Sequence, residues 1–415
     1  MDPEILLVAD DMTGALDASA PLAGEGCSVA VRPGAGHVPT SLARPVAARA
    51  VNCGTRHAPP RVAARVVRAA VGALAGPGTL VVKKTDSMLR GNLGAELAAT
   101  LAATGAAVLH FLPALPSQGR TTVGGVQYCG GVPVGEAERD PFGPPASSEV
   151  AAVLAGQCDL PVTCVPLGGE VPRGFRGIAV HDAVTQRDME RSLGAVLAGE
   201  ARPVLAGCSG LTAALAALRG SPGLPPWSMG PDEGLLWLCG SLNPVSRAQC
   251  ARASVDGAGV VPLPGGAKTD RRWLATPEGR VTTTRVAASW RSRRATVVDA
   301  TAAAAGHAPA GAREAVSGRL GRFGAAVVRE AAPAPGPLMV SGGDVLAAVL
   351  EALGVREIRP SGEALPGVIA SSAPSPLGAL SVLSKSGGFG APGIVARLVG
   401  RDAPRATAPA VGKEC

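Results

Sequence analysis

Short apolar, β-branched runs alternate with Ala/Leu-rich helical patterns through the first half of the chain. Residues Ile5 to Val8, Val29 to Val31, Val46 to Val51, Thr79 to Val82, Val108 to Leu112, Val162 to Val165, Ile178 to His181 and Val204 to Ala206 read as strands. Such alternation predicts a parallel sheet covered on both faces. Between Arg219 and Gly234 the pattern gives way to GSPGLPP and then GPDEG, clusters that make exposed linkers, so a domain boundary is expected here. A second α/β series follows, with strands at Leu235 to Cys239, Gly259 to Leu263, Thr296 to Asp299, Pro337 to Val340 and Gly367 to Ile369. Its helices are expected at Ala312 to Ala332 and Val345 to Leu353. The Arg-rich stretch 264–295 shows no assignable period, and the tail from Arg401 is expected to fray. The reading is therefore two α/β domains, over residues 1–225 and 235–402, facing one cleft, with a disordered tail at 403–415.

A length of 415 residues suits two domains, each with its own core. Only 2% of residues are aromatic against 47% apolar, so Ala, Val and Leu must build those cores, and no stacking platform for nucleic-acid bases is expected. The formal charge of +7 comes from scattered arginines rather than one basic stripe, a solvated surface whose field draws anionic substrates. Nine cysteines lack CxxC spacing and no secretory leader precedes Met1, which predicts a cytoplasmic protein with reduced thiols. Apolar runs such as Val62 to Leu74 are broken well short of a membrane span. The histidines are scattered without an HExxH pair, so no metal site is expected from side chains alone.

The chemistry gathers after strands, where open α/β sheets bind ligands. Asp10 and Asp11 end the first strand and precede a helix. Consecutive residues there point to opposite sides, so one faces the cleft while the other caps the helix, and the order is left open. The segment KKTDSMLRGNLG, residues 83–94, supplies Lys83, Lys84, Asp86, Arg90, Gly91 and Asn92. Arg grips a carboxylate bidentately, Lys adds a point charge and an aspartate accepts a proton from an attacking hydroxyl. Together they describe a pocket for a polyhydroxylated acid, to which Arg56 adds a cation. The loop Pro113 to Thr122, with Arg120, is either a further ligand contact or a plain turn. In the second half, three glycine turns follow strands: Gly240-Ser241, Gly342-Gly343-Asp344-Val345 and Gly387-Gly388. None matches a P-loop or GxGxxG pattern, yet three turns on one domain favour nucleotide phosphates.

In their order, ADDMTGALDAS (9–19), KKTDSMLRGNLGAEL (83–97), LPALPSQGRTTVGGVQYCGGVPV (112–134), CGSLNPVSRAQ (239–249), SGGDVLAAVLEALG (341–354) and LSKSGGFGAPG (383–393) resemble the four-carbon acid sugar kinase family. The resemblance implies an N-terminal substrate domain, a C-terminal nucleotide domain, and transfer of phosphate from ATP with Mg²⁺ to the terminal hydroxyl of a tetronate or 3-oxo-tetronate. It also implies Asp11 or Asp10 as the base, an acid-sugar site of Arg56, Lys83, Asp86, Arg90, Gly91 and Asn92, and ATP contacts at Ser241, Gly342 to Val345, Gly387 and Gly388. A small sugar acid is the expected partner, with neither nucleic acid nor membrane, and a homodimer is left open. Departures from the family pattern occur at Ser241 to Ser246 and at Gly54. The rival readings are a binding regulator without catalysis and a dinucleotide oxidoreductase.

Overall fold

Apolar strands and amphipathic helices pack as two α/β domains in the computed structural model, which describes residues 4–31, 48–137, 145–301 and 310–400. The first domain contains β1 (Ile5–Ala9), β2 (Cys27–Ala30), β3 (Ala48–Asn52), β4 (Leu80–Lys84) and β5 (Val108–Leu112). A small antiparallel sheet of β6 (Arg120–Val123), β7 (Val126–Cys129) and β8 (Val132–Pro133) rises from the loop after β5. Then come β9 (Val162–Val165), β10 (Gly177–His181) and β11 (Val204–Gly207). The parallel order is β2-β3-β1-β4-β11-β5-β10-β9. Alternation along β1 explains the covering of both faces. Ile5, Leu7 and Ala9 pack with Met12 and Leu16 of α1 (Met12–Ser19), while Leu6 and Val8 pack with Val67, Ala70 and Val71 of α2 (Pro60–Leu74). The remaining helices of this domain are α3 (Leu93–Thr104), α4 (Val150–Ala155), α5 (Gln186–Gly199) and α6 (Ser209–Arg219).

The second domain has β12 (Leu235–Cys239), β13 (Gly259–Pro262), β14 (Ala295–Asp299), β15 (Leu338–Ser341), β16 (Glu357–Leu365), β17 (Val368–Ser375) and β18 (Gly378–Lys385). Its helices are α7 (Pro244–Val255), α8 (Gly266–Thr269), α9 (Pro277–Ser292), α10 (Ala310–Ala331), α11 (Gly343–Ala352) and α12 (Ile394–Leu398). Strands β13-β14-β12-β15-β18 are parallel, and β17 and β16 extend the sheet as an antiparallel meander. The expected short strand at Gly367 to Ile369 is the start of β17, the middle strand of that meander.

Two further differences from the pattern reading have physical causes. The stretch 264–295 carries α8 and α9. Helix α9 is capped by Thr276, whose side chain accepts from the Gly279 N–H, and its buried stripe mixes Thr282 and Thr283 with Val286, Ala287 and Trp290, which blurs the apolar period. The cores are also not separate. Strand β16 pairs antiparallel with β2 through Glu357 with Ala30 and Ile358 with Val29, joining the domains into a 15-stranded sheet. Leu16 and Leu22 therefore share one apolar cluster with Leu346, Leu350 and Ile358. The tail expected to fray, and Val46 at the expected start of β3, lie outside the described residues. Among those residues no helix is long and apolar enough to cross a membrane.

Candidate active site

Strand register brings the first set of candidate residues to one edge. Ala9 is level with Asn52 and Lys84, and Lys84 with Gly207, so the turns after β3, β1, β4 and β11 form a continuous rim. Asp10 and Asp11 diverge there. Asp11 is the N-cap of α1, its Oδ1 accepting from the Gly14 N–H at 2.9 Å and its Oδ2 from Thr13 Oγ1 at 2.8 Å. Asp10 is gripped by Arg56, whose Nε and Nη2 donate to the two carboxylate oxygens at 2.7 and 2.9 Å. The same guanidinium reaches Asp11 at 3.0 Å through both terminal nitrogens. Burial alone would raise the Asp10 carboxyl, but Arg56, Lys84 and Lys83 overcome it and hold the group at about 2.

The loop after β4 is organised around Asp86. Its Oδ2 accepts from the Met88 and Arg90 backbone N–H groups, and the Arg90 fork closes on both oxygens at 2.7 and 2.6 Å. Burial opposes this charge, yet Arg90 and Arg56 keep the Asp86 carboxyl well below the usual range. Leu89 is held at a φ of 60°, an uncommon conformation for a branched side chain. Gly91 has φ +87° and leaves room for Arg56, whose Cγ would lie 3.3 Å from a Cβ there. Asn92 donates to the Thr55 and Ala58 carbonyls, tying this loop to the one that carries Arg56. Arg56, Asp86, Arg90, Gly91 and Asn92 are thus brought together.

Lys83 is not among them. Its side chain is fully buried, with Nζ 2.7 Å from Glu96 of α3 and donating to the Lys84 carbonyl at 2.6 Å. Adjacent strand residues face opposite sides, so it is Lys84 that turns to the rim, with Nζ 4.0 Å from Asp11. At the rim, Lys84 stands where Lys83 was expected. Asp17, one and a half turns beyond Asp11 on α1, also belongs to this rim. It accepts from Ser209 at the start of α6, close to Lys84 and Arg120, and burial raises its carboxyl.

The second domain repeats the arrangement. Cys239, Ser341 and Lys385 are level across β12, β15 and β18, so the three glycine turns emerge side by side. Gly342 has φ +107°, and a side chain at Gly387 would collide with Ser241 Oγ. Gly388 lies against Asn243, and a Cβ at Gly240 would sit 2.7 Å from Val345 Cγ2. The departing segment Ser241 to Ser246 is part of this scaffold: Asn243 caps α7 through the Val245 N–H, and Ser246 Oγ donates to the Gly387 carbonyl at 2.7 Å. Buried Lys385 donates to the Ser386 and Gly387 carbonyls, and burial pulls its ammonium down to about 8.

The two rims meet. A Cβ at Gly343, in the first turn of α11, would be 2.6 Å from Asp11 Oδ2 and 3.2 Å from Thr13 Oγ1. His57 Nε2 lies 3.8 Å from an Asp344 oxygen beside it. The first-domain carboxylate therefore faces the positive end of the helix that follows the second glycine turn.

Residues 5–215 match the sugar-binding N-terminal domain family and residues 236–394 the nucleotide-binding C-terminal domain family. Proteins of known activity align with nearly the whole chain. A D-threonate kinase of Salmonella typhimurium is 30% identical over 93% of this chain and 95% of its own length, and a D-threonate kinase of Bordetella bronchiseptica is 31% identical over 95% and 96%. The chain belongs to the four-carbon acid sugar kinase family. A D-erythronate kinase of Heliobacterium modesticaldum is 32% identical over 59% of each chain. A solved Salmonella typhimurium LT2 structure shares the fold, with a TM-score of 0.71 over 96% of this chain and 98% of its own at 23% identity. Family membership makes the first domain the sugar-binding one and the second the nucleotide-binding one, and the Asp11 to Gly343 contact lies between them.

Among the described residues no three metal-ligating side chains gather.

Proposed function

We propose that the protein is an ATP-dependent kinase that phosphorylates the terminal hydroxyl of a four-carbon sugar acid: threonate, erythronate or 3-oxo-tetronate. The substrate domain spans residues 1–225 and the nucleotide domain 235–402. The observation that carries this reading is the approach of the Asp11 carboxylate to Gly343 across the cleft. Backbone N–H groups of the turns at Ser241, Gly342 to Val345, Gly387 and Gly388 hold the phosphates of ATP, as helix N-termini and glycine turns do. Mg²⁺ would supply charge neutralisation at those phosphates, with Asp344 as its protein ligand.

The substrate carboxylate binds the Arg56, Arg90 and Lys84 cations against the wall made by Asp86, Gly91 and Asn92. Asp11 already accepts from Gly14, Thr13 and Arg56, which fills the acceptor sites of a carboxylate. As the substrate carboxylate draws Arg56 toward itself, an Asp11 oxygen is freed to take the proton of the terminal hydroxyl for in-line attack. Asp10 keeps the guanidinium in the site. Positioning and charge neutralisation supply most of the acceleration in such transfers. One chain supplies every group named, so the reading requires no homodimer, and its use of ATP suits the cytoplasm.

The test is ADP release, coupled to NADH oxidation, over D-threonate, L-threonate, D-erythronate and 3-oxo-tetronates, with three- and five-carbon acids as controls. Acid-dependent release confined to the four-carbon set supports the reading. Binding of ATP and acid without release would make the protein a regulator instead.

A further inference from the structure

The two rims are also joined at a second place, by a ring. Phe389, in the loop that follows Gly387 and Gly388, is only 5% exposed although its loop lies at the domain edge, because it packs against Leu115 and Cys208 of the first domain. Its own loop is tethered to α7. Gln249 Nε2 donates to the carbonyls of Phe389, Gly390 and Ala391 at 3.0, 2.9 and 3.0 Å, and the Phe389 N–H closes a turn on Ser386. Gly367 leaves space for the ring where a side chain would collide with it. Over the ring lies the Arg120 guanidinium, 5.3 Å from the centroid, within cation–π range. Arg120 Nη1 in turn donates to Ser87 Oγ, the residue after Asp86.

We infer that Arg120 and Phe389 form a positioning latch that makes binding in the nucleotide turn and binding in the substrate loop mutually dependent. The chain of contacts is short: the Gly387-Gly388 turn, Phe389, Arg120, Ser87, then the Asp86 loop with Arg90. Phosphates settling on the turn fix Phe389. The fixed ring holds Arg120, and Arg120 holds the loop that grips the acid. Neither residue needs to touch a ligand, and the inference rests on the kinase reading only for the identity of the two ligands.

The experiment measures the affinity of a non-hydrolysable ATP analogue by calorimetry, with and without D-threonate or whichever screened acid turns over fastest. In the wild-type enzyme each ligand is expected to tighten the other by about 5- to 150-fold. Phe389→Leu keeps the plug apolar without a π face, and Arg120→Lys keeps the charge without the planar stack. Each should cut that coupling by about 2- to 30-fold, the range of a cation–π contact, while the analogue alone binds within about threefold of wild type. The double variant should lose no more coupling than either single change. Equal coupling in variant and wild type, no coupling in the wild type, additive losses, or failure of the analogue to bind Phe389→Leu without acid would each overturn the latch. Steady turnover by the wild type in these cases would leave the kinase reading standing.

Discussion

Replacing Gly343 by alanine tests the close approach of the two domains. The new Cβ would lie 2.6 Å from Asp11 Oδ2, about 1 Å short of comfortable van der Waals separation. Asp11 cannot retreat, because Gly14, Thr13 and Arg56 hold both of its oxygens. Helix α11 must therefore back away. Gly343 itself lies in the first turn of the helix, so alanine suits its backbone, but the overpacking against a carboxylate that cannot move should cost about 1–3 kcal/mol of stability. Moving the phosphate-facing helix by about 1 Å should cost about 100-fold in kcat/KM, or about 2.7 kcal/mol of transition-state stabilisation. Steady-state kinetics with saturating ATP and a thermal melt of the same preparation give both numbers. A variant within twofold of wild-type kcat/KM would refute the claim that Asp11 and the start of α11 flank the reacting atoms.

Asp11→Asn should abolish turnover while the ATP analogue still binds in calorimetry, because the first glycine contact is kept and the proton acceptor is lost. Glu96→Gln should leave buried Lys83 without its closest anion and lower the urea-derived stability by about 3–5 kcal/mol, with kcat per folded molecule unchanged; Lys84→Ala should instead lower kcat/KM together with stability, because this buried cation also offsets Asp10. Asp10 is held at about 2 against an ordinary 3.8, so its ionised form stabilises the fold fully above pH about 4, and that contribution, on the order of 2 kcal/mol, is lost as pH falls through about 2. Acid titration of stability for wild type against Asp10→Asn should show the two curves converging below that pH.

The strands were legible because parallel strands buried on both faces read as unbroken apolar runs, as in Leu235 to Cys239. The meander was not, since β16 alternates buried and exposed positions through Pro360, Ser361 and Gly362, residues that also make loops. The site was legible as a set of segments and only partly as side chains. Sequence places Lys83 and Lys84 together; only the pairing of β4 with β1 and β11 decides which of them meets Glu96 and which meets Asp11. Arg56 was visible as a cation, but its double hold on Asp10 and Asp11 depends on a turn held by Asn92, 36 residues later. Phe389 looked like an incidental residue in a glycine loop, since nothing near it in sequence names Leu115, Cys208 or Arg120 as its neighbours.

The pairing of Val29 and Ala30 with Ile358 and Glu357 sets how the two lobes are connected. A pair of lobes on a loose tether would swing apart freely; these are halves of one hydrogen-bonded ribbon. Any parting of the lobes must then be taken up in two residue pairs of backbone ladder, a hinge of strand rather than of loop.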